Sequence, residues 1–346
     1  MFGEQHNVIT INEAEKTKRP KVAYPGFEHI PVRPEVDPLS FDTYLGQDNI
    51  KERLRLEINA MKRGDSLKAL FSASPGLGKT ALARVLAIEM GLKHKTDHYF
   101  EIVAGKIEGK KQLDNFIRVL PEHAFVFIDE IHGLQGLARD AMLPALADNV
   151  YAFDEGADTM MPLPKGISWV GATTDVGKVH GALQRRLTVM TLSPMSHENR
   201  RELAQRMPIP VTDVAAEEMA KRCWTPWEIK DEIYKVSSHV AYEHNHSLID
   251  LWHVNAAFEV LDIDEEGLHK IERQVLKALY LSKRIFKKEV RYGMSARALI
   301  ATVGIDNPTF YDKIEPRLLG RGFIQISAGV GRELTEKGLE YTKARF

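Results

Sequence analysis

Eight consecutive residues, Ala73-Ser74-Pro75-Gly76-Leu77-Gly78-Lys79-Thr80, place two glycines, an ammonium and a hydroxyl at the spacing of a phosphate-binding loop. In such a loop the backbone amides donate to a triphosphate, Lys79 adds charge at the β/γ-phosphates, and the Thr80 hydroxyl ligates Mg²⁺. Further along, Asp129-Glu130 follows the apolar run 124–128. Two acids at the end of a buried strand are costly unless a ligand uses them. Asp129 would hold Mg²⁺ through water and Glu130 would orient the water that attacks the phosphoryl group; capping a helix is the competing reading of this pair. Thr174 or Thr173 is placed to bond the γ-phosphate or that water.

These groups need a parallel sheet to bring them together. Lys68–Phe71 reads as a short buried strand before the loop, and 81–90 as a helix with Leu82, Val85, Leu86 and Met90 on one face, ended by Gly91. Further strands are expected at Tyr99–Val103, Ala124–Ile128, Ile167–Gly171 and Thr188–Leu192, with helices near 48–61, 110–120 and 137–147, the last kinked by Pro144. Strands alternating with helices give an α/β fold whose parallel sheet is covered on both faces and whose ligands sit at the strand ends. A short hairpin is expected where 150–153 and 160–163 flank the polar tip 154–158. Residues 193–261 read as all helical, and the rest as helices followed by a two-stranded hairpin with Gly329 and Gly331 at its turn, which describes a winged helix. The predicted divisions are an irregular arm at 1–36, a large nucleotide domain at 37–192, a helical lid at 193–262 and a winged helix at 263–346.

The net charge of −1 hides an uneven distribution: residues 281–346 hold 13 Lys and Arg against 7 Asp and Glu, which points that end towards nucleic acid. The single cysteine, Cys223, excludes an internal disulfide framework and fits a reducing compartment. No apolar run approaches a membrane span and the first residues lack a signal core, so a cytoplasmic protein without membrane contact is expected. His239, His244 and His246 cluster without a supporting cysteine or second motif and read as a solvated helix end. An alanine at position 73 is strained if the loop needs positive φ there.

In combination these segments resemble the RuvB family of AAA+ ATPases over residues 33–346. Leu45-Gly46-Gln47 is similar to the family's segment near the adenine, Pro75–Thr80 to its Walker A, and Ile128-Asp129-Glu130-Ile131-His132 to its Walker B. Gly171-Ala172-Thr173-Thr174 is similar to sensor 1, and Leu183-Gln184-Arg185-Arg186 to the segment that carries the arginine finger. At the C-terminal end Gly267-Leu268, Ile314-Glu315-Pro316, Gly322-Phe323 and Gly331-Arg332 follow the family's winged-helix pattern. Three departures stand out: Gly133 replaces an arginine, Trp227 replaces the sensor-2 arginine (with Lys230 one turn on), and the 150–163 hairpin is shorter than the one the family uses to hold RuvA.

The resemblance implies a three-domain AAA+ protein that binds ATP and Mg²⁺. Leu45, Gly46, Pro75, Gly76, Leu77, Gly78, Lys79, Thr80 and Ala81 would contact the nucleotide, and Thr80 and Asp129 the metal. Glu130, Asp129, Lys79 and Thr174 would act within one subunit, while Arg186, with Arg185 in reserve, would reach a neighbour in a hexameric ring. It also implies duplex or four-way-junction DNA as partner, contacted by Lys313, Arg317, Arg321 and Arg332, and an ATP-driven motor for branch migration. The shortened hairpin counts against a RuvA-like partner. The competing expectation is a nucleotide-gated loader that deposits another protein on DNA.

Overall fold

The computed structural model describes residues 40–61, 66–92, 98–153, 160–286 and 289–346. The expected arm and the hairpin tip at 154–158 lie outside the described residues. Two compact units divide the chain: the described residues up to Met195 except Ser74–Gly76, and Ser196–Phe346 with those three.

The first unit runs α1 (Asp48–Met61), β1 (Lys68–Ser72), α2 (Lys79–Glu89), β2 (Tyr99–Val103), α3 (Lys110–Arg118), β3 (Phe125–Asp129), α4 (Gly136–Asp148), β4 (Val150–Tyr151), β5 (Met161–Pro162), β6 (Ser168–Thr173), α5 (Gly181–Gln184) and β7 (Thr188–Thr191). Its five main strands are all parallel in the order β2-β3-β6-β1-β7, and β4 and β5 pair separately as an antiparallel hairpin. Strand alternation sorts the core into two layers. Val126, Ile128 and Trp169 join Leu113 and Ile117 of α3 and Met142 and Ala145 of α4 on one face. Phe125, Phe127 and Val170 join Leu82, Val85 and Leu86 of α2 on the other. Pro144 lies inside α4, which continues to Asp148.

Register then aligns the strand ends. Ser72 stands opposite Thr173, and Ile128 opposite Gly171, so the loop after β1, the acids at the end of β3 and the threonines at the end of β6 emerge at one edge of the sheet. Because β6 lies between β1 and β3, Thr173-Thr174 fall between the phosphate loop and the acid pair.

The second unit contains α6 (His197–Gln205), α7 (Asp213–Arg222), α8 (Tyr234–Glu243), α9 (Leu251–Val260), α10 (Lys270–Leu281), β8 (Lys283–Phe286), β9 (Glu289–Met294), α11 (Ala296–Val303), α12 (Glu315–Gly320), β10 (Ile324–Ser327), β11 (Gly331–Leu334) and α13 (Glu336–Arg345). Segments Glu228–Ile233 and Thr309–Ile314 are π-helical. The expected two-stranded hairpin is present as β10–β11, and two further strands extend it to a four-stranded antiparallel sheet, β10-β11-β9-β8. Backbone register pairs position 285 with 290 in β8 and β9, and β9 gains its second partner from β11, beyond the reach of local patterning. Leu276, Leu279, Leu299, Phe310, Leu318 and Phe323 form the core beneath it. Cys223 is buried, which pushes its thiol up.

Three carboxylates, Glu228, Glu232 and Glu272, gather beside Arg317 in this unit. Burial, then the charge of Glu228, pushes Glu232 up to about 7 from an ordinary 4.5, and one of its oxygens is buried without a hydrogen-bond partner. A carboxyl raised by folding stabilises while protonated; that contribution is complete below pH 4.5 and is lost as pH rises through about 7. Glu232→Gln is therefore expected to gain about 1–2 kcal/mol over the parent at pH 8 and nothing at pH 4. Thermal melts across that range check it, and an equal effect at both ends would refute it.

Candidate functional site

The phosphate loop is shaped by glycine. Gly76 and Gly78 have φ of 79° and 92°, the left-handed region that L side chains avoid. A Cβ on Gly78 would also stand 2.9 Å from the Tyr44 hydroxyl. Gly78 is the N-cap of α2 and supplies no side-chain cap, leaving the first-turn amides to a ligand. Ala73 does not carry the feared strain: it is not among the non-glycine residues with positive φ, and its amide donates to the Thr173 carbonyl at 3.2 Å. Lys79 is 8% exposed and donates to the Ala73 carbonyl at 2.7 Å. Burial lowers its pKa, opposed by the charges of Glu130 and Asp129. Thr80 and Ala81 follow in the first turn of α2, half-buried, and Leu77 packs into the core.

Asp129 ends β3, and its Oδ1 accepts from the Glu130 amide at 3.0 Å. Burial raises its pKa, partly offset by that amide and by Lys79. Glu130 adopts φ 48°, a left-handed conformation for a residue with a long side chain, which costs about 1–3 kcal/mol and needs its surroundings to hold it. Those surroundings are visible. Thr174 Oγ1 donates to Glu130 Oε2 at 3.4 Å, and His132 Nδ1 lies 3.2 Å from the same oxygen and 3.0 Å from Thr173 Oγ1. Thr173 Oγ1 also donates to the Asp175 carbonyl at 3.0 Å. So Thr174 faces the acid pair while Thr173 braces the loop. His132 was quoted in the sequence only as part of a motif; its bridging position depends on the turn Ile131–Gly133.

The segment Leu45-Gly46-Gln47 bends through positive φ at both Gly46 and Gln47. Gln47 is clasped to Ser193 by two hydrogen bonds, Nε2 to the carbonyl at 2.6 Å and the Ser193 amide to Oε1 at 3.0 Å. Tyr44, whose contact sequence reading missed, is buried and reaches the Gly78 carbonyl at 3.4 Å. Lys51, also buried, donates to the Tyr44 carbonyl at 3.0 Å. After β6, Arg186 is half-buried and donates to the Ala182 carbonyl at 2.9 Å, whereas Arg185 is exposed. Gly133 explains itself sterically: a Cβ there would lie 2.9 Å from the Gly105 amide nitrogen.

In the second unit Trp227 is 52% exposed, while Thr225 is buried and its hydroxyl donates to Glu228 Oε1 at 3.1 Å. The four arginine and lysine candidates for DNA separate. Lys313 is exposed on the π-helical turn before α12. Arg332 pairs with Glu315 and stands over the rings of Phe310 and Tyr311. Arg317 and Arg321 are corrected as exposed cations. Arg317 contacts Glu228 at 3.3 Å, Glu272 at 3.1 Å and the Gly267 carbonyl at 2.6 Å. Arg321 bonds the Arg222 carbonyl at 3.1 Å and that of Glu266. Their charge is spent within the unit because three carboxylates and several carbonyls lie closer than solvent.

The oxygen donors Thr80 and Asp129, a hydroxyl and a carboxylate, are the hard ligands that Mg²⁺ prefers, and the uncapped start of α2 with Lys79 fits a polyphosphate. Among the described residues no group of three His, Cys, Asp or Glu side chains could hold a metal by itself. No described helix is long and apolar enough to cross a membrane.

Comparisons with known proteins point to one family. Residues 36–192 match the family model described as Holliday junction DNA helicase RuvB P-loop domain, and residues 265–343 that of the RuvB C-terminal winged helix domain. The chain is similar to the Holliday junction branch migration complex subunit RuvB of Clostridium kluyveri, with 32% identity over 304 residues, covering 83% of this chain and 82% of that protein. Among solved structures, the RuvB Holliday junction branch migration motor of Thermotoga maritima superposes with a TM-score of 0.74 at 28% identity, over 89% of this chain and 98% of that one. A proline-to-glycine mutant of the same protein gives 0.76 at 28% identity, over 90% and 99%.

Proposed function

Because the chain belongs to the RuvB family, we propose that it is an ATPase that drives double-stranded DNA through four-way junctions, the branch-migration step of recombination and repair. The observation that carries the chemistry is the convergence of Lys79, Asp129, Glu130 and Thr174 at one edge of the parallel sheet. In this reading Lys79 and the first-turn amides of α2 hold the β/γ-phosphates, with Leu45, Gly46, Pro75, Gly76, Leu77, Gly78 and Ala81 around the nucleotide. Glu130 orients the attacking water, and Thr174 positions Glu130. Mg²⁺ bound by Thr80 and Asp129 would neutralise charge on the phosphates.

Assembly is part of the proposal. A finger arginine acts on a neighbour's nucleotide, so Arg186, with the more exposed Arg185 in reserve, requires a ring of copies, six being the expected number. The domains are proposed at 37–192, 193–262 and 263–346. The short β4–β5 hairpin argues against reliance on a RuvA-like partner.

For DNA, Lys313 and Arg332 remain the proposed phosphate contacts. Lys283 and Arg291 of the β8–β9 hairpin join them in place of Arg317 and Arg321, one on each strand. Such contacts position without reading sequence. The combined change Lys283→Glu and Arg332→Glu is expected to weaken duplex binding about 10-fold or more and to flatten its salt dependence; unchanged binding removes both residues from the DNA face. The function itself is tested with purified protein, ATP and a synthetic four-way junction, scored for separated duplex arms with and without RuvA. ATP-dependent separation supports the motor, and a nucleotide-dependent oligomer that moves no junction overturns it in favour of the loader.

A further inference from the structure

Between the phosphate loop and the winged helix the chain passes through the helices of residues 197–260, so whatever hydrolysis transmits to the DNA-contacting end crosses the joint between those helices and the wing. That joint is built from buried arginines. Arg317, 13% exposed at its side chain, reaches from α12 to Glu228 at the start of the π-helical turn before α8, to Glu272 in α10 and to the Gly267 carbonyl. From the other side Arg222, at the end of α7, bonds the carbonyls of Ile263 at 2.6 Å and Asp264 at 3.0 Å and stacks on Phe258 at 3.7 Å. Arg321 closes the gap by bonding the Arg222 carbonyl, and Gly320 lies close against Trp224.

We propose that Arg317 is the positioning residue that makes the helical segment and the winged helix one lever, with Glu228 as the shared anchor. Glu228 does two things at once. Its Oε2 accepts from the Trp224 amide at 2.7 Å and its Oε1 from the Thr225 hydroxyl, which fixes the Trp224–Trp227 turn; the same carboxylate receives the Arg317 guanidinium. One hydrogen bond to a carbonyl and two ion pairs with carboxylates hold the buried guanidinium in place, where an apolar contact would tolerate sliding. Interfaces between domains of one chain move by default unless something fixes them. Pulling the arginine out would leave carboxylates uncompensated in a buried setting, so the joint resists opening. A second observation agrees: Glu228 begins one π-helical segment, and the other, Thr309–Ile314, leads straight into α12, which carries Arg317 in its first turn. Such turns are rare and concentrate where a helix must present particular side chains.

The proposal rests on the motor reading above, and its test separates the two. Full-length Arg317→Met is compared with the parent for DNA-stimulated ATP hydrolysis, duplex affinity as a function of salt, and junction movement per ATP. The expected result is hydrolysis and affinity within about twofold of the parent, with movement per ATP down about 10-fold or more. A drop in affinity with a shallower salt slope would make Arg317 a phosphate contact and overturn the proposal. So would a parallel loss of hydrolysis and movement, which marks a merely structural role, or undiminished movement per ATP. If Arg317→Met melts early, the triple variant with Glu228→Gln and Glu272→Gln removes the orphaned charges and is judged by the same readouts. A parent protein that neither hydrolyses ATP nor moves junctions refutes the motor reading instead.

Discussion

Lys79→Ala is expected to lose nucleotide binding by at least about 100-fold in a titration with a fluorescent ATP analogue, with little change in melting temperature. The lysine is 8% exposed and its partners are a backbone carbonyl and the fields of two carboxylates, so its ammonium is already desolvated and aimed. Truncating a buried, hydrogen-bonded charge against a phosphate costs about 3 kcal/mol or more, which is two powers of ten or more in affinity. The fold does not share that dependence, because alanine relieves the burial of a cation that is itself costly. Retained tight binding would remove the phosphate loop from the proposed mechanism.

Glu130→Gln separates binding from chemistry. Glutamine keeps the shape, can occupy the same left-handed backbone position and can still accept from Thr174, but it cannot take up a proton or orient water as a carboxylate does. Nucleotide affinity is expected to stay within a few-fold while phosphate release falls by about 10²–10⁴. Steady-state turnover equal to the parent would transfer the base role elsewhere, with Asp129 the nearest alternative.

The legibility of this chain differed by level. The parallel sheet was readable because β1, β3 and β6 are buried on both faces and therefore show short apolar runs between turn residues. The acid pair was readable for the same reason, since its polarity interrupts such a run. Conformation was less so: that Ala73 avoids positive φ while Glu130 adopts it depends on how neighbouring strand ends pack. Direction was hidden altogether. Arg317 and Arg321 are cations in a basic stretch, and their partners Glu228, Glu272 and the carbonyls of Arg222 and Glu266 lie 45 or more residues away along the chain, apart in pattern as well as position. The β8–β9 hairpin escaped because Lys283 to Arg291 offers only Ile285, Phe286 and Val290 as apolar residues, too few to fix a period.

The close approach of Gly133 to Gly105 limits how this protein can be compared with its relatives. With a peptide nitrogen 2.9 Å from the place where a first side-chain carbon would go, the turn behind the acid pair and the loop after β2 are fitted backbone to backbone. An arginine placed at position 133 would wedge these two segments apart before its guanidinium met anything. A loss of activity in that variant would then report a displaced Glu130, and nothing about the arginine itself.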